Sequence, residues 1–164
     1  MIKEPTFNAV NNEIIDLDLS ITQKKKFRFD KDDNRIVEIN TSDMTLMQRA
    51  SVAYPKLQEL QTKASKLTDG VNLDEDSALA GITTMAERLS TVDTEMRELI
   101  DYMFDAPVSA AAAPEGSMYD PFNGSFRHEH IIAVVMQQYE NNLQSEFKKM
   151  EKQLKKHTDK YTRR

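Results

Sequence analysis

The residues best placed by type to do chemistry are His128 and His130, separated only by Glu129, because imidazoles beside a carboxylate are common metal ligands. Their spacing works against them. On a helix, residues two apart point about 200° away from each other, so the two rings cannot close on one ion. Asp30, Asp32 and Asn34 have the alternate spacing of the first ligands of a calcium loop, yet the loop's glycine and distal glutamate are missing at the required offsets. That run reads instead as a solvated turn. Ser, Asp and His occur without a nucleophile elbow, and only four glycines are present, none in a phosphate-cradling loop. The remaining carboxylates are scattered along helical faces, where solvation explains them better than paired acid and base work. No catalytic, metal or cofactor-binding residue is assigned, no small-molecule substrate is indicated, and the chain reads as a non-enzyme.

The elements that would position any site change character near residue 41. Before it, Ile15, Leu17, Leu19 and Ile21 alternate with polar residues as in a strand. Phe27 and Phe29 alternate with Lys26 and Arg28, and Ile36, Val37 and Ile39 follow the turn-prone run, which makes residues 24–40 a β-hairpin. After it, the period is helical. Ser42 or Asp43 can cap a helix carrying Leu46, Met47, Ala50, Tyr54, Leu57, Leu60, Ala64 and Leu67, with a kink or a break into two helices expected at Pro55 and a stop at Asp69-Gly70. A second stripe, from Leu79 through Ile82, Met85, Leu89, Val92, Met96, Leu99 and Ile100 to Met103, ends at Pro107. Residues 106–124, rich in Ala, Pro and Gly, read as a long loop, docked or mobile, with Met118, Tyr119 and Phe122 too apolar for a linker. A last helix from about Ser125 carries Ile131, Val135, Tyr139, Leu143, Phe147, Met150, Leu154 and Tyr161, and its end is expected to project.

The fold class is therefore α+β, mainly α: a small N-terminal hairpin or three-stranded sheet followed by three or four amphipathic helices. The expected organisation is a flexible stretch at 1–11, one domain at 12–150 (β-rich at 12–40, helical at 43–150) and a basic helical tail at 151–164. Across its 164 residues the chain has 39% hydrophobic and 30% charged residues, which fits helices with exposed polar faces. Zero cysteines exclude disulfides and thiolate metal sites. No apolar run suits a membrane and the N-terminus lacks an apolar signal core, so a cytoplasmic protein is expected. The net charge of −5 is uneven: residues 148–164 hold eight Lys and Arg against Glu151 and Asp159, leaving about −11 for the rest. Without interleaved aromatic side chains that tail does not indicate specific nucleic-acid recognition. Hairpin edge and last helix each leave self-association as a homo-oligomer open.

The order of β-rich start, helices, Leu99-Ile100-Asp101-Tyr102-Met103-Phe104-Asp105, a loop, Tyr119-Asp120-Pro121-Phe122-Asn123-Gly124 and a final helix resembles the small tail assembly chaperones of long-tailed phages and prophages, over about residues 12–155. The Ala- and Pro-rich insertion and the basic tail depart from that pattern. The resemblance implies a non-enzymatic protein of the infected cell's cytoplasm that binds the tape-measure protein, keeps it soluble and helps recruit tail-tube subunits. On that reading the expected partner contacts are Met96, Leu99, Met103, Phe104, Met118, Tyr119 and Phe122. The alternatives are a virion structural or connector protein, or a small regulatory protein whose basic tail meets nucleic acid.

Overall fold

The computed structural model describes residues 24–162. Strands β1 (Lys24–Arg28) and β2 (Ile36–Asn40) pair antiparallel, with Phe27 opposite Val37. Their turn is closed by Asp32, whose carboxylate accepts the Asn34 amide at 2.9 Å, while Asp30 and Lys31 take positive φ. Asp30 pairs with Arg35 and Asp33 with Arg28, so each carboxylate of the run has a role in the turn. Among the described residues this sheet has two strands; the strand expected at Ile15–Ile21 lies outside them, as does the stretch 1–11.

Helix α1 (Thr45–Ser65) is preceded by Asp43, whose carboxylate accepts the Thr45 amide at 2.8 Å and so satisfies an early donor. Of the kink or break expected at Pro55, the break into two helices does not occur: α1 continues through it. Pro55 and Ser51, the residue whose carbonyl loses its helical donor, both lie on the exposed side, where water can replace the missing N–H. Gly70 takes φ +67° in the turn beyond the helix. Helix α2 (Ala78–Phe104) packs antiparallel along α1 and ends at Asp105, in the left-handed conformation, rather than at Pro107.

The segment expected as a loop is built structure. It contains a one-turn helix, α3 (Val108–Ala112), and a second hairpin, β3 (Pro121–Phe122) with β4 (Ser125–Phe126). Asn123 and Gly124 both take positive φ, the conformation of the two-residue turn for which Asn-Gly is the strongest signal. Helix α4 (Arg127–Thr162) then runs for 36 residues, about 54 Å at 1.5 Å per residue.

One apolar core joins these elements: Val37 and Ile39 of β2, Leu46, Ala53 and Leu60 of α1, Val92 to Phe104 of α2, Val108 of α3, Met118, and Ile131, Val135 and Tyr139 of α4. Each large side chain fully removed from water contributes about 1.5–3 kcal/mol. The fold is α+β and mainly α, with a small hairpin first and the longest helix last. Among the described residues no helix is long and apolar enough to cross a membrane.

Candidate interaction surface

The polar side chains of this chain mostly hold its own backbone. Alone, α3 is too short to persist, since one turn of helix costs more to nucleate than its hydrogen bonds return. Asp101 caps its start, accepting the Ser109 amide at 2.7 Å and hydroxyl at 2.8 Å. Arg35 donates to the Ala111 and Ala112 carbonyls at 2.7 and 2.8 Å, and Arg97 to those of Ala113 and Gly116 at 2.9 and 2.7 Å. Two guanidiniums thus satisfy the carbonyls that a helix C-terminus leaves open. Asp93 completes the clasp by accepting Arg97 at 2.7 Å, the Ser117 hydroxyl at 2.8 Å and the Met118 amide at 2.6 Å. Burial alone would raise the Asp93 carboxyl; the hydrogen bonds from Arg97, Met118 and Ser117 overcome it and hold the group below its ordinary 3.8.

The two histidines part company. His128 is buried, and its Nδ1 lies 3.0 Å from the Met118 carbonyl, which can only accept, so Nδ1 carries the proton. Tyr119 meets its ring edge-on and Phe126 stacks on it. Burial pushes its pKa below 6.5, against the opposing pull of the Met118 carbonyl. His130 rests against Phe122 instead. Among the described residues no group of three or more His, Asp or Glu side chains is placed to hold a metal ion. Tyr119 is pushed up to about 12 by burial and the negative charges of Asp93 and Glu95, and its buried hydroxyl has no hydrogen-bond partner among the described residues.

The seven residues expected to contact a partner do not form one outward face. Met96, Leu99, Met103, Phe104, Met118 and Tyr119 are all buried in the core, and Phe122 alone is exposed, at 41%. The reason is packing from two sides: α1 lies along α2, and the clasp folds residues 106–126 back onto its end. Of the six, Leu99 also lines a cavity of about 550 Å³ between α1 and α2, with Val52, Leu60 and Tyr102.

Accessible apolar surface is found between α1 and α2 at Val52 and Tyr102, beside the first hairpin at Phe27, Phe29, Phe122 and Val134, and in a longer strip on α4. Along α4, Ile132, Met136, Leu143, Phe147, Met150 and Leu154 recur at multiples of three and four residues and fall on one strip, displaced around the helix from the core-facing Ile131, Val135 and Tyr139. Over its first half the strip borders α1 and forms a trough. One part, about 420 Å³, is lined by Met47, Met136, Tyr139 and Leu143; the next, about 320 Å³, by Tyr54, Leu57, His128 and Ile132, with Ala133 shared between them. Met47 and Tyr54 are 52% and 61% exposed on its α1 wall. From His128 to Leu143 the trough follows about four helical turns, or roughly 22 Å. Beyond it the strip has no partner among the described residues: Phe147, Met150 and Leu154 are 50%, 48% and 67% exposed. Sequence periodicity located Leu143, Phe147, Met150 and Leu154 but grouped them with the core-facing Ile131, Val135 and Tyr139; only the position of α1 beside α4 brings in Ile132 and Met136 and shows which part is a trough wall.

No protein family, no curated protein and no solved structure matches this chain. The surface therefore speaks through its own chemistry. It offers apolar walls with methionine on both helices and a rim of Gln58, Gln61, Glu129, Gln137 and Glu140.

Proposed function

We propose that this protein is a non-enzymatic assembly chaperone of the phage-tail kind, which holds an amphipathic helix of a tape-measure protein in the trough between α1 and α4 and helps bring tail-tube subunits to it. The observation that carries the reading is the trough itself: an open, four-turn channel between two helices, walled by Met47 and Met136. An amphipathic helix lays one apolar face into such a groove, and flexible thioether side chains adapt to successive, imperfect targets. The resemblance of the Leu99–Asp105 and Tyr119–Gly124 segments to small tail assembly chaperones supplies the identity of the client. The buried side chains of those segments, Leu99, Ile100, Met103, Phe104 and Tyr119, then shape the core rather than touch the client.

Co-expression with the tape-measure and tail-tube candidates encoded nearby, followed by capture and mass determination, tests the reading. The expected result is a soluble complex with the tape-measure product, which pellets when expressed alone. Failure to form any complex would sink the proposal.

The projecting half of α4 favours a second reading, a virion structural or connector protein whose last helix packs between subunits. Mature particles separate the two. A chaperone is absent from them, whereas a structural subunit is present at fixed copy number.

A further inference from the structure

Two arms leave the core at opposite ends of the molecule. As α4 runs from His128 to Asn142, its neighbours on the hairpin-α1 side run backwards, from Gln61 and Tyr54 through Met47 and Met44 to Thr41. The C-terminal half of α4 therefore emerges beyond the start of α1. The turn that joins α1 to α2 lies at the other end. Both arms display large apolar side chains: Phe147, Met150 and Leu154 on the first, and Leu73, Leu79 and Ile82, 56%, 79% and 58% exposed, on the second.

Their charges are opposite. Residues 69–88 contain Asp69, Asp74, Glu75, Asp76 and Glu87 against Arg88, a net of −4. All five carboxylates are exposed, and none belongs to an ion pair among the described residues. Residues 147–164 carry a net of +6 from eight Lys and Arg against Glu151 and Asp159. The acidic arm is also a built shape. Gly81 lets residues 71–73 close on α2, since a Cβ there would collide with the Asn72 carbonyl oxygen and press on Leu73 and Val71. This fixes Leu73 beside the first turn of α2.

We infer that the basic end of α4 docks on the acidic α1–α2 arm of a second copy of this chain. The occupant must come from another molecule, because α4 is continuous to Thr162 and cannot turn back toward the far end of its own body. Apolar residues on both arms supply area, and the opposed charges select the pairing and speed the encounter. Because each copy owns one arm of each kind at opposite ends, two copies lying antiparallel satisfy both contacts at once, and the contact is between two different patches of the same chain. This self-association uses neither Met47 nor Tyr54, so it stands apart from the client reading.

Sedimentation or light scattering of the full chain tests it. The expected mass exceeds the 18.8 kDa monomer at low salt and falls toward it at high salt, as screening weakens the opposed charges. Reversing the tail (Lys148, Lys149, Lys152 and Lys155 to Glu) or the arm (Asp74, Glu75 and Asp76 to Lys) should each weaken association by about a hundred-fold, and mixing the two variants should restore it. Far-UV circular dichroism checks that both remain folded; Leu79→Ser with Leu154→Ser, which leaves all charges in place, should also weaken association. A monomeric wild-type chain, association that survives either reversal, or folded reversal variants that ignore each other would each overturn the inference.

Discussion

The two halves of α4 carry the same kind of apolar periodicity and meet different fates. From His128 to Tyr139 the helix buries His128, Ile131, Val135 and Tyr139 against α1, α2 and the clasped segment. From Phe147 onward, Phe147, Met150 and Leu154 continue at helical spacing and are about half exposed or more, with none of the described elements packed on them. The first half is held by tertiary packing, the second by helix propensity and whatever it meets in solution. A stripe thus tells that a helix is amphipathic and leaves open what covers it.

Substitutions in the core that the first half packs on and along the exposed second half should separate the two regions by energy. Phe104→Ser, in the core that the first half of α4 completes, removes a fully buried aromatic ring and is expected to cost at least about 3–5 kcal/mol, seen as a collapse of the denaturant midpoint. Leu154→Ser, on the exposed half, is expected to stay within about 0.5 kcal/mol of wild type. Equal losses at the two sites would mean that the second half is packed too.

The clasp ranks next. Asp93→Ala leaves Arg97, the Ser117 hydroxyl and the Met118 amide without their acceptor in a largely buried site and should cost about 2–3 kcal/mol by chemical denaturation. A loss no larger than that of an exposed ion pair would show that the segment 106–126 holds without it.

Acid should loosen the same region in two stages. The folded His128 binds its proton more weakly than the unfolded chain does, so its contribution is intact above about pH 6.5 and is lost as pH falls toward the lower folded value. The folded Asp93 likewise loses its proton more readily than the unfolded chain, so its stabilisation is present above about pH 3.8 and disappears as pH falls below that toward its depressed value. A Tm profile that declines from about pH 6.5, with the first decline flattened in His128→Gln, is the expected outcome. The smallest effect belongs to Tyr119→Phe. Removing a buried hydroxyl without a hydrogen-bond partner should leave stability unchanged or raise it by about 1 kcal/mol, and a clear loss would reveal a partner for that group.

The sequence was most legible where local signals and burial agree. Alternation about Asp30–Asn34 located the hairpin, and three- and four-residue recurrences located α1, α2 and α4. It was least legible between Ala106 and Phe126, where composition suggested a loop. That segment is ordered by side chains distant in sequence, Arg35, Asp93, Arg97 and Asp101, none of which bears a local mark of its partner. Asn123-Gly124 was the one local cue to the second hairpin, and it sat inside the segment assigned by composition. Met96, Leu99, Met103, Phe104, Met118 and Tyr119 looked like a contact surface because they are apolar and adjacent to an apparent loop; α1 and the folded-back segment together cover them.

The central claim is that the α1–α4 trough holds the helical client. The most direct measurement is the soluble fraction of the tape-measure product on co-expression with wild type and with the Met47→Ser, Tyr54→Ser double variant, whose changes lie on exposed positions and spare the core. The account predicts that wild type keeps the client in the supernatant while the folded double variant lets it pellet. Equal solubilisation by both would contradict it.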